Sequence, residues 1–128
     1  MRDVTTKTLR PLQIRFDAYG AGDDNEFKYE LIVLMTGSIK ELKIAAQNAF
    51  GYGGPDGLKR AIHKSKSTLT LINDQELFEV VDNLWIALAN PNEKEIHRRE
   101  ALGRFNSISD SIVESLQRES AALKEQFD

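Results

Sequence analysis

The stretch "NDQELFEVVDNLWIALAN" constrains this chain more than any other. Leu77, Phe78, Val81, Leu84, Trp85 and Leu88 recur at helical spacing, which describes a helix with an apolar stripe wide enough to demand cover from other elements. Asn73 stands where an N-cap is expected, with Glu76 three residues on as in a capping box, and Asn90-Pro91-Asn92 supplies the stop. Such a helix belongs at the centre of a core and places Trp85 in that core rather than on a ligand platform.

The N-terminal third carries two readings. In "LQIRFDAY" the residues Leu12, Ile14, Phe16 and Ala18 alternate with polar ones, the period of a half-buried strand over residues 10–18. "GAGDDNE" reads as a turn, and "FKYELIVLM" as a second, more central strand that completes an antiparallel hairpin. Yet Phe27, Leu31, Leu34, Met35, Ser38, Leu42, Ala45, Ala46 and Ala49 also recur at helical spacing through one long segment. Two local signals favour a break between strand and helix: Gly37 costs an exposed helix interior about 1 kcal/mol, and Ser38 with Glu41 forms an S-x-x-E capping box. The expected helix then covers residues 38–50, with Gly51 as its left-handed C-terminal cap.

Further along, "STLTLI" (residues 67–72) is β-prone and reads as a short strand or an extended lead-in. Residues 93–127 are helical in pattern, with Ile96, Phe105, Ile108, Ile112, Leu116, Leu123 and Phe127 on one side and Gly103 or "NSISDS" as places to bend. The expectation is one α+β domain spanning residues 1–128: an N-terminal β-hairpin packed against three to four helices, one of them a long C-terminal helix. An all-α helical bundle is the alternative.

Several chemistries lack their residues. Zero cysteines remove thiolate metal sites and cysteine nucleophiles. The loop "FGYGGPDGLKRAIHK" has Leu58 where a Walker lysine belongs, and Asp56 where the third glycine of G-x-G-x-x-G belongs. It reads as a helix-to-helix connection, with an anion at the helix start beside Lys59 and Arg60 as the sharper option. His63 and His97 fall in neither H-x-x-x-H nor H-E-x-x-H, and "GAGDDNE" lacks the twelve-residue spacing of a calcium loop. Tyr19, Tyr29 and Tyr52 are candidate ring partners for bases, although packing is their commoner role. No metal site and no cofactor are expected.

Positive charge is concentrated in two segments of a chain whose formal net charge is −3. Lys59, Arg60, His63, Lys64 and Lys66 form one, and Lys94, His97, Arg98, Arg99 and Arg104 the other. Packed side by side, the two would make a surface able to hold phosphates. The R-x4-6-H spacing of the helical nucleases of prokaryotic defence systems is absent: Arg60 precedes His63 by three residues, and no arginine stands four to six before His97. The leading expectation is a non-catalytic regulatory or adaptor protein that acts by protein-protein contact, with another protein or as a homodimer. The alternative is a nucleic-acid-binding module, and after it a small RNase, using the segments around His63 and His97. The N-terminus has no apolar block after its charges, and the longest apolar run is "LIVLM". A cytoplasmic protein without a membrane span is therefore expected.

Overall fold

The computed structural model describes residues 9–127, apart from the side chains of Tyr19 and Tyr52. Four helices make up its body: α1 (Asn25–Asn48), α2 (Asp56–Ile72), α3 (Gln75–Ala89) and α4 (Glu95–Phe127). No strand occurs among the described residues, so the expected α+β hairpin is corrected to an all-helical bundle.

Helix α1 replaces both the second strand and the break after it. Asp24 caps its start, accepting a 3.0 Å hydrogen bond from the Phe27 N–H. From there Leu31, Ile32, Met35, Ile39, Leu42 and Ala46 are buried in one unbroken stripe. Burying each large side chain is worth about 1.5–3 kcal/mol, so five of them outweigh the roughly 1 kcal/mol that Gly37 costs. Ser38 and Glu41 accordingly lie inside a helix rather than at its start. The chain leaves α1 through a π-helical turn, Ala49–Gly53. There a Cβ on Gly53 would stand 3.1 Å from the Asn48 carbonyl oxygen, so a side chain would crowd the turn. The positive φ falls on Gly54 (72°) and not on Gly51, the expected cap.

Residues 67–72 form the last turns of α2 instead of a strand. Asn73 ends that helix in the left-handed conformation (φ 57°, ψ 46°), and Asp74 caps α3 by accepting a 3.0 Å bond from the Leu77 N–H. The α3 cap thus lies one residue beyond the expected Asn73, because Asn73 is spent on closing α2. Helix α4 runs 33 residues without a break at Gly103 or the serines, a length of about 50 Å. Phe105, Ile112 and Leu116 are fully buried along it, whereas Ile96, expected on the same side, is exposed.

The helices pack as a ring in which α1 contacts α2 and α4, and α3 contacts α4. Helices α1 and α4 run antiparallel, since Tyr29 meets Phe127 edge-on at 5.6 Å while Lys43 pairs with Asp110. The fourth side of the ring, between α2 and α3, is the least closed.

Residues 9–15 cross the end of the ring as an extended strap, followed by a 3-10 turn at Phe16–Tyr19. The alternation read from the sequence holds as far as Phe16: Leu12, Ile14 and Phe16 pack against the core while Gln13, Arg15 and Asp17 are exposed, but Ala18, expected on the apolar side, is exposed in the 3-10 turn. What it lacks is a partner strand; the Arg15 N–H donates to the Leu71 carbonyl at 2.9 Å. Arg10 anchors the strap, its Nε and Nη2 donating to the two Asp74 carboxylate oxygens at 2.8 and 2.7 Å, with Nη2 also 2.7 Å from Glu76 Oε1. Its carbonyl accepts from Ser115 Oγ at 2.7 Å. The Arg10 guanidinium holds the Asp74 carboxyl below the usual carboxylate range, against an opposing push from burial, and Asp74 in turn raises the Arg10 pKa.

Two stability measurements follow from these contacts. Asp74→Ala removes both cap and ion pair and should cost about 1–2 kcal/mol in urea unfolding at neutral pH, whereas Asp74→Asn keeps a capping oxygen and should cost up to about 1 kcal/mol. Because the folded-state pKa is the lower one, the advantage of wild type over Asp74→Asn is full above about pH 4 and disappears as pH falls through the depressed value. Ser109, fully buried on α4, has a hydroxyl with no hydrogen-bond partner among the described residues; Ser109→Ala should raise stability by about 0.5–1 kcal/mol in the same assay.

Candidate functional site

The two basic segments lie on different helices, and the Gly54–Pro55 approach to α2 comes beside Arg98 at the start of α4. Lys59, Arg60, His63, Lys64 and Lys66 lie on α2, Lys94 directly precedes α4, and His97, Arg98, Arg99 and Arg104 lie on α4. α2 and α4 are not a packed pair; α1 contacts both of them. The two depressions lined by His63 do not include His97.

The α4 segment is largely occupied by its own neighbours. His97 Nδ1 lies 2.9 Å from Glu93 Oε1, and the imidazole is the main cause of a lowered Glu93 pKa. Arg99 pairs with Glu95 at 3.4 Å. Arg98 Nη1 donates to the Ala87 and Asn90 carbonyls, both at 3.4 Å, and so tends the open C-terminal end of α3. Lys94 and Arg104 are exposed. His97 and Arg98 thus hold the α3–α4 corner together, and Arg99 is paired within α4.

The α2 segment is different. Between α2 and α3 lies an open groove of about 680 Å³ whose apolar floor includes Ile62, Leu69, Phe78, Val81 and Trp85. Lys59, Arg60, His63 and Lys66 stand along its α2 side, and Asp82 is the one acid in its lining. Among the described residues these four bases form no ion pair, while Lys64, outside the groove, lies 3.3 Å from Glu41. A neighbouring depression of about 640 Å³ shares His63, Lys66 and Thr70 and adds Arg15 from the strap, extending the positive edge.

The groove follows from the width of the α3 stripe. Leu77, Val80, Val81, Leu84 and Leu88 are buried toward the core, but Phe78 and Trp85 flank that face and are only partly covered. Trp85, expected in the core, therefore packs against it and lines the groove at once. The sequence did hold a signal for this: Phe78, Val81 and Trp85 at i, i+3 and i+7 widen the stripe beyond what one helix–helix seam covers. On α2 the bases Lys59, Arg60, His63 and Lys66 share the groove with the apolar side chains of Ile62 and Leu69.

Other expected sites take structural roles. Asp24, in the acidic loop, caps α1, and the glycine-rich loop joins α1 to α2. Among the described residues no group of three His, Asp or Glu side chains is placed to hold a metal ion, and no helix is long and apolar enough to cross a membrane.

The charge of the rim is measurable through Trp85, the single tryptophan of the chain. At low ionic strength its emission should be quenched more efficiently by iodide than by caesium, and a Arg60→Glu, Lys66→Glu double variant should narrow or reverse that difference. Equal quenching by both ions in wild type would show that the rim carries no effective positive field.

No protein-family model matches the chain, and no curated protein and no solved structure matches it either.

Proposed function

We propose that this protein is a non-catalytic adaptor or regulator that receives an acidic amphipathic helix of a partner protein in the α2–α3 groove. The observation that carries the reading is the open side of the helix ring, with its apolar floor and its row of cations that form no ion pair among the described residues. A helix laid along such a groove buries one face against Leu69, Phe78, Val81 and Trp85, in the manner of helix-in-groove recognition with anchors at i, i+3 or i+4, and i+7. Carboxylates beside those anchors would meet Lys59, Arg60 and Lys66, which sets the orientation and speeds encounter more than it adds affinity. His63 fits this picture as part of the rim, in a lining that also holds one carboxylate, Asp82, and one hydroxyl, Thr70.

A nucleic-acid module would draw on the same cations, but the groove floor is mostly apolar and His97, Arg99 and Arg98 of α4 are engaged with Glu93, Glu95 and the α3 carbonyls. The protein-contact reading uses both halves of the groove; the phosphate reading uses only its rim.

Titration of the full chain with a synthetic helical peptide of about 18 residues, carrying Leu and Phe at i, i+3 and i+7 with flanking glutamates, tests the proposal through Trp85 emission. Saturable binding in the micromolar range is expected, weakened at least about tenfold by the Arg60→Glu, Lys66→Glu double variant, and lost when the peptide's glutamates are replaced by lysines. No saturable change, or equal binding of the lysine peptide, would overturn it. Tighter retention of a labelled RNA hairpin than of the peptide, with steep salt dependence, would transfer the groove to the nucleic-acid reading.

A further inference from the structure

A second surface lies on α1, on the side away from the core. Val33, Leu34 and Ile44 are 49, 68 and 63% exposed there, the first two adjacent and Ile44 about three turns further along the helix. At 100° per residue, Val33, Gly37 and Ile44 fall within about 40° of one another. Gly37 sits mid-helix with an ordinary φ, and a Cβ there would meet nothing within 4 Å. The isolated chain gains nothing from this glycine and loses about 1 kcal/mol relative to alanine. A second backbone passing close to it supplies the missing reason.

From these positions we infer that α1 pairs with α1 of a second copy of this chain, the two helices running parallel about a two-fold axis. Along the ridge, Glu30, Gly37 and Ile44 fall at seven-residue steps, and the pairs Val33/Leu34 and Lys40/Glu41 straddle the line between them. In a parallel pair the left flank of one helix meets the right flank of the other. Val33 then packs on Leu34 of the second copy, Gly37 on Gly37, Ile44 on Ile44, and Lys40 faces Glu41 twice. An antiparallel pair centred on Gly37 would instead set Lys40 against Val33 and Glu41 against Leu34 of the second copy, leaving both charges on apolar side chains, so the parallel pairing is favoured. Glu41 must leave Lys64, but that contact is 3.3 Å long and exposed on both sides, and such pairs contribute little. The Glu30 layer opposes like charges and keeps the association weak, as does an interface of one helix pair, below about 1,200 Å². The ridge is separate from the α2–α3 groove, so the dimer and the adaptor reading stand or fall independently.

Sedimentation velocity on the full chain tests the inference. Wild type should pass from monomer to dimer between about 10 and 500 µM, and Ile44→Glu should remain monomeric throughout. Lys40→Glu and Glu41→Lys should each weaken the dimer at least about tenfold by opposing like charges, while the Lys40→Glu, Glu41→Lys double variant returns to within about threefold of wild type. Glu30→Gln should tighten it. All these positions face solvent in the single chain, so the fold is spared. A wild type that stays monomeric at the highest concentration, a dimer that survives Ile44→Glu, or a double swap that does not restore association would each overturn the proposal. Loss of the dimer in the Arg60→Glu, Lys66→Glu variant with Ile44→Glu unaffected would do so as well, by assigning the contact to the groove.

Discussion

Burial of the α1 stripe against α4 is the interaction on which the remaining arrangement hangs. Leu31, Ile32, Met35, Ile39 and Leu42 on one helix and Phe105, Ile112 and Leu116 on the other are almost entirely removed from water. This antiparallel seam is the most extensive of the molecule, and it fixes the first and last helices as neighbours. α2 and α3 then have to span the opposite side, each held by one strong seam, α2 to α1 and α3 to α4. A ring closed so firmly on three sides has little left to close the fourth.

That open side is where chemistry and architecture meet. The α3 stripe is wider than its seam with α4, and the surplus, Phe78 and Trp85, is only half covered. Helix α2 meets that surplus with cations that form no ion pair among the described residues. By contrast His97, Arg99 and Arg98 of α4 are absorbed locally, by Glu93, by Glu95 and by the carbonyls that α3 leaves unpaired at its end. Residue type alone does not separate the two groups. What separates them is whether a nearby acid or orphan carbonyl is engaged: Asp56 lies one turn before Lys59 and Arg60 on α2, yet among the described residues it pairs with neither.

The sequence was legible where a stripe is long and its ends carry caps. α3 was placed nearly to the residue, and the pattern of α4 was visible from Phe105 to Leu123. It misled where two periods fit one segment: residues 27–35 alternate over their first half, but only the helical period continues to Ala46. The Ser38–Glu41 box was a true local motif overruled by five buried side chains. Residues 12–16 do alternate between core and solvent, yet alternation says nothing about whether another strand lies alongside. Asn73 illustrates the cap problem, since asparagine serves equally as a left-handed stop and as a start, and Asp74 beside it took the second role. Of the site, the α2 bases were legible by composition; the groove was not, because half-coverage of Trp85 depends on how far two helices stand apart.

The strap and the α1–α4 seam both bear on how the molecule is made. Arg10 reaches forward to Asp74 and Glu76, and its carbonyl to Ser115, while α1 finds its main cover only in the last third of the chain. During synthesis α1 therefore emerges with only α2 at hand to cover part of its apolar side, and its larger seam forms when α4 follows. Nascent chains stalled before residue 105 should be clients for whatever holds sticky polypeptides in the cell, and completion of the last helix is the event that releases them.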